Sequence, residues 1–326
     1  DRIQGKIGNE SLSVIADNSI TVSGPAIDLE SLSLQALNQI RLLGDVDINQ
    51  EIFASANRLV INENILIDPL SDGSITLIGR NQIIASAGVE IGIGNGQLTT
   101  QGPIAILGDL NINGQAGTIL LDSTTNGTGV LSVTNPGGST TIQNAVGNFQ
   151  PLAGLNIQSS QLSINTVVVD NNVIELTADE IDFTGQSIST LGSGDILING
   201  DLVAVSPHIS IAAADSVQVN GTIRGRNGTE SLTITAIDQI ELVNGANTIA
   251  SLSLQASNAI HTTGMISVQQ NLSAKSDTVV ISGDLVLQSN SAGTIELDGK
   301  NLVQLDSQAV VEIGHGALTI YTEGAV

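Results

Sequence analysis

Of the 326 residues, 41% are hydrophobic but only 1% are aromatic, and there is no cysteine. That composition excludes a disulfide framework or a thiol site. It points to a thin core of Ile, Leu, Val and Ala laid down in many similar layers, not one thick core filled by rings. The formal net charge is −23, and all nine Lys and Arg lie within residues 2–80 and 224–300. Without clustered cations there is nothing to release phosphate counterions, so nucleic acid is excluded as a partner, as is attraction to an anionic membrane surface. No apolar run approaches the ~18 residues that cross a bilayer, so no membrane insertion is expected in this segment.

The first segments read ESLSVIA-DN-SITVSG-PAIDL (10–29) and ESLSLQA-LN-QIRLLG-DVDINQ (30–50). Each parses into three short alternating stretches divided by Asn or Gly corners. Period-two alternation puts Leu32 and Leu34 on one face and Ser31, Ser33 and Gln35 on the other. Asn18, Asn38, Asn57 and Asn81 fall at equivalent corners, at intervals of 20, 19 and 24 residues. Asn, Asp and Gly at such corners tolerate the left-handed backbone of a sharp bend. No 3.6-residue apolar stripe occurs and β-branched residues dominate, so helices are not expected. Three short strands per rung of about 20 residues, repeated, describe an all-β parallel β-helix. GIGNG (92–96) follows no βαβ pattern and reads as a glycine corner, not a nucleotide loop. Gly, Thr, Asn and Pro crowd together in 122–151, where an irregular loop or insertion is expected.

The densest carboxylate cluster is ADEIDF (178–183), where alternation places Glu180 and Asp182 on one strand face. Two outward carboxylates that close bind Ca²⁺ through oxygen or serve as an acid/base pair. A sugar-processing site also needs aromatic platforms and basic residues, and no Lys or Arg lies between Arg80 and Arg224. Glu180 and Asp182 are therefore metal candidates for calcium; no catalytic residue and no other cofactor is indicated. His208, His261 and His315 lie some 53 residues apart, with no carboxylate at triad or zinc spacing, and read as outward strand or corner residues.

The late part of the chain repeats the early part. Asp238, Asn258, Asp277 and Asn301 each fall 220 residues after Asn18, Asn38, Asn57 and Asn81. Gly8, Glu10, Ser11, Leu12, Ala16 and Ile20 match Gly228, Glu230, Ser231, Leu232, Ala236 and Ile240. ESLSLQALNQI (30–40) returns as ASLSLQASNAI (250–260), and VEIGIGNGQLTTQG (89–102) as VEIGHGALTIYTEG (311–324) with small gaps. The sequence thus reads as one continuous β-helix over 1–326, with one long unit, 1–220, and the start of a second copy, 221–326. Since Ile3 and Gly5 already match Ile223 and Gly225, it is expected to be a window on a longer polypeptide. Selection for a single active site does not duplicate eleven rungs in register, so a non-catalytic part is expected.

Rungs such as GDLNING (108–114), GDILING (194–200) and NGTESLTITAIDQIELVNG (227–245) resemble filamentous-haemagglutinin-type exoproteins. TIQNAVGNFQPLAGLNI (141–157) resembles a motif common in giant repetitive bacterial surface proteins. The resemblance implies a right-handed β-helix secreted to the extracellular bacterial cell surface, acting in adhesion or as a fibre shaft. The expected partners are other rods, through self-association along or between them, or a host, cell-surface or matrix polymer. Two alternatives are a β-helical enzyme or carbohydrate-binding module acting on polysaccharide, and a self-assembling sheath or surface-layer filament.

Overall fold

The structure, a computed structural model, describes residues 3–6, 8–288, 290 and 292–324. Among these residues every regular element is a strand, from Ile3–Gln4 to Ala317–Thr322. The strands pair in parallel with segments one rung earlier and one rung later. The fold is thus the all-β, parallel β-helix that the alternation predicts. The chain divides into two compact units, Asp1–Ile164 and Asn165–Val326, whose boundary does not fall at the sequence-predicted repeat junction after 220.

Alternation becomes columns. In the first unit Leu12 pairs with Leu32, Leu32 with Ile52, Ile52 with Ile75, Ile75 with Leu98 and Leu98 with Ile119. In the second unit Ile209, Leu232, Leu252, Leu272 and Ile295 do the same. Leu32, Ile52, Leu252 and Leu272 are each only 1% exposed. Burying one such side chain contributes about 1.5–3 kcal/mol, and every member touches the rung on either side of it. The thin aliphatic core follows directly.

Rung length is not fixed. Ser11 pairs with Ser31, Gln97 with Thr118 and Glu51 with Ser74, so a turn takes 20, 21 and 23 residues at these three places. The surplus collects at corners and register shifts, as between Ala56 and Arg58. The expected three short strands merge in places, since Val46–Ile61 runs unbroken for 16 residues. Gly79 marks one tight bend: a Cβ there would stand 2.4 Å from the Gln82 carbonyl oxygen.

The corner asparagines act differently from the expectation. Among the described residues only Asp28 (φ 56) and Thr248 (φ 50) are non-glycine residues at positive φ. The corner side chains bind one another across rungs instead: Asn38 Nδ2 donates to Asn18 Oδ1 at 2.6 Å, and Asn258 Nδ2 to Asp238 Oδ1 at 2.6 Å. An amide carries both donor and acceptor, so stacked corners can continue such a ladder without a left-handed residue. The irregular stretch is also shorter than 122–151. Thr125–Gly127 and Val130–Ile142 are strands paired into the sheet, and beyond the two-residue corners at 123–124 and 128–129 the stretch outside strands is 143–153, with Val146 bridging Thr125. Thr and Asn there fill pleat positions, which composition alone does not distinguish from loop.

The repeat is reproduced strand for strand. Seven consecutive strands, from Ser11–Ala16 to Ser74–Ala85, recur with bounds shifted by 220, from Ser231–Ala236 to Thr294–Leu305. The register shifts recur as well, around Leu29 and Ile249 and after Ala56 and Ser276. So does the unusual backbone: Asp28 and Thr248 are equivalents, as are Gly8 (φ 79) and Gly228 (φ 75).

Candidate functional site

Glu180 and Asp182 stand on the strand Ile174–Phe183, on one face, as predicted. Each carboxylate is held by an arginine that linear spacing hides. Arg224 Nη2 donates to Glu180 Oε2 at 2.5 Å, and Arg226 Nη2 donates to Asp182 Oδ1 at 2.6 Å, both across 44 residues. The intervening rung supplies Asp201, paired with Glu180, and Val203, paired with both Asp182 and Arg224. The arginines thus reach over one rung to the next. Their guanidinium groups and a calcium ion compete for the same oxygens. Side chains 27–46% exposed make these surface pairs, worth up to about 1 kcal/mol each. Among the described residues no group of three or more His, Asp or Glu is arranged to hold a metal ion.

His208, His261 and His315 are exposed; His261 sits in register beside Glu241, and His315 lies in a turn. The glycines of GIGNG form a corner: Gly94 has φ 53, and a Cβ there would lie 2.6 Å from the Pro69 carbonyl oxygen.

The chemistry that sequence reading missed lies where the two copies differ. In the first, Asp28, Asp45, Asp47 and Asp68 gather on one surface. Loss of surrounding water, then the charges of Asp28, Asp68 and Asp45, raise the Asp47 carboxyl above its ordinary value. Gln4 Nε2 donates to Asp28 Oδ2 at 2.7 Å. The second copy has Thr248, Met265, Ser267 and Gln288 at those positions.

A second surface shows the opposite change. Gln255, Lys275, Asp298 and Tyr321 are successive register partners on the outward face of the second unit. Lys275 Nζ lies 2.9 Å from Asp298 Oδ2. That hydrogen bond and the Asp298 charge raise the lysine above its ordinary value. Tyr321 is 55% exposed. With Glu296 and Lys300 these residues line an open groove of about 850 Å³. The corresponding column of the first copy holds Gln35, Ser55, Ile78 and Gln101, with neither a ring nor a charge. The only linear signal is one polar residue per rung, which alternation assigns to the outer face without marking it.

No protein-family model, curated protein or solved structure matches the chain. The strand pairing itself shows a β-helical repeat protein.

Proposed function

We propose that this chain is a structural and adhesive segment of a large extracellular bacterial surface protein of the filamentous-haemagglutinin kind. The observation that carries the reading is the copied frame. Strand bounds, register shifts and positive-φ positions recur 220 residues on, while part of the outward face is exchanged, as Ser55 for Lys275 and Gln101 for Tyr321. Such duplication extends a shaft, because each repeat contacts its neighbours and adds length without a new core design. The acidic surface, with a net charge of −23, favours solubility of a repetitive surface protein through self-repulsion.

Labelling of intact source cells with antibody against the 326-residue chain tests the reading. The expected result is label on filaments or on the cell surface, removed by brief protease treatment. Label that appears only after lysis overturns it.

A further inference from the structure

We propose that the groove around Tyr321 binds a neutral, hydroxyl-rich polysaccharide laid along the column Gln255, Lys275, Asp298 and Tyr321. This gives the adhesive part of the proposed function a ligand class and rests on that reading.

The geometry of a β-helix suits such a ligand. Register partners on successive rungs repeat every ~4.8 Å, close to the length of one pyranose unit in an extended 1,4-linked chain. Side chains in the column therefore meet successive sugars in similar positions. Tyr321, more than half exposed, supplies an aromatic ring that can stack on the C–H face of a pyranose. Asp298 and Glu296 can accept from paired hydroxyls, and Gln255 and Lys275 can donate to them. The contact between Lys275 and Asp298 at 2.9 Å holds both groups in place before a ligand arrives, which lowers the ordering cost of binding.

Charge selects among polymers. Lys275 is matched by Asp298, and the remaining wall carries Lys300 against three acids, Asp277, Glu296 and Glu323. An excess of carboxylate disfavours a polyanion. The volume, about 850 Å³, lies within the range of small-molecule and cofactor sites and can take a short stretch of a chain whose ends continue into solvent. The column of the first copy is itself uncharged and ring-free, although Phe53 and Glu51 line a smaller pocket beside Gln35, and serves as a control for the column in the same molecule.

The test titrates the full chain with hydroxyethylcellulose, arabinoxylan and galactomannan, and in parallel with heparin and polylysine. The expected result is saturable binding to at least one neutral polymer, unchanged between low and high salt because no counterions are released. Tyr321→Ala should weaken binding by about tenfold or more, and Tyr321→Phe by no more than about twofold, with thermal melting unchanged in both. Ser55→Lys, Ile78→Asp and Gln101→Tyr, introduced together, should raise the stoichiometry from one site to two. Three results overturn the proposal: no neutral polymer bound, binding that survives Tyr321→Ala, or binding confined to heparin or polylysine. Surface label on cells combined with any of these removes the glycan site and leaves the surface reading standing.

Discussion

In the first copy the strand Ala26–Ala36 carries Asp28 at φ 56, beside Asp45, Asp47 and Asp68. In the second, Ala246–Ala256 carries Thr248 at φ 50, and the neighbouring aspartates are replaced by Met265, Ser267 and Gln288. The left-handed residue persists although its identity changes from a tolerant aspartate to a β-branched threonine, for which that conformation is costly. The bend therefore belongs to the frame and not to the residue that occupies it. Outward positions obey no such constraint. An inward side chain touches the rungs on both sides, so a change there is felt by three layers, while an outward one meets water and at most a few neighbours on adjoining rungs. The frame is copied and the surface is free to diverge.

The strongest way to break this comparison is to charge the frame. Leu252→Asp buries an unpaired carboxylate between Leu232 and Leu272, at a site only 1% exposed. The expected loss is about 3–5 kcal/mol, and amide exchange should quicken in the rungs on both sides. Leu32→Asp in the first copy should cost the same within experimental scatter. A melting curve unchanged by either substitution would place that leucine outside the core.

The shared bend gives a smaller effect of opposite sign. Thr248→Gly removes the steric penalty of a β-branched residue at φ 50 and should stabilise the chain by about 1 kcal/mol. Asp28→Gly should gain less, because aspartate tolerates the conformation better and its contact with Gln4 at 2.7 Å is lost. Equal gains would mean that the strain is not residue-dependent. Chemical denaturation of both variants measures the difference.

Much of the frame was legible in the sequence, because inward Leu and Ile at Leu12, Leu32, Leu232 and Leu252 state both the pleat and the rung spacing. The columns followed from the 20-residue spacing and the strict alternation, and Leu12 does pair with Leu32 and Leu232 with Leu252. The surface was less legible. Arg224 and Glu180 are 44 residues apart and meet across two rungs, so neither carries a local sign of the other. Lys275, Asp298 and Tyr321 contribute one residue per rung to their groove. A corner asparagine engaged in a ladder has the same letter as one in a left-handed turn, so spacing alone predicts a left-handed bend at Asn18 and Asn38 where the structure has an amide ladder.

Charge sharpens the comparison through pH. The folded chain holds a proton on Asp47 to higher pH than the unfolded chain does, so the ionised carboxyl costs stability above both values. That cost is relieved as pH falls through the raised folded value and is gone below the unfolded value near 3.8. Asp47→Asn should raise the melting temperature at neutral pH by an amount equivalent to a few tenths of a kcal/mol, since water screens much of the repulsion. The gain should shrink in strong salt and vanish in acid. Ser267→Asp, at the matching site of the second copy, should cost less than Asp47 does, because Thr248, Met265 and Gln288 carry no charge. A gain from Asp47→Asn that persists in acid would assign the effect to packing.

The last comparison concerns the two arginines, which occupy positions equivalent to Gln4 and Lys6 of the first copy. Removing both by Arg224→Ala and Arg226→Ala should cost less than about 1 kcal/mol in total, because all four partners are partly exposed and salt already screens them. The more telling readout is calcium. In the native chain the guanidinium groups occupy Glu180 Oε2 and Asp182 Oδ1, so a cation must displace them before it can coordinate either oxygen. The double variant leaves two like charges on one strand face without those partners, which raises their affinity for a divalent ion. Melting in EDTA and in millimolar calcium should therefore separate the proteins: the variant shifts upward with calcium by more than the native chain does. Equal shifts would show that arginine and calcium do not compete there, and the absence of a shift in both would leave these carboxylates as a solvated, arginine-paired face.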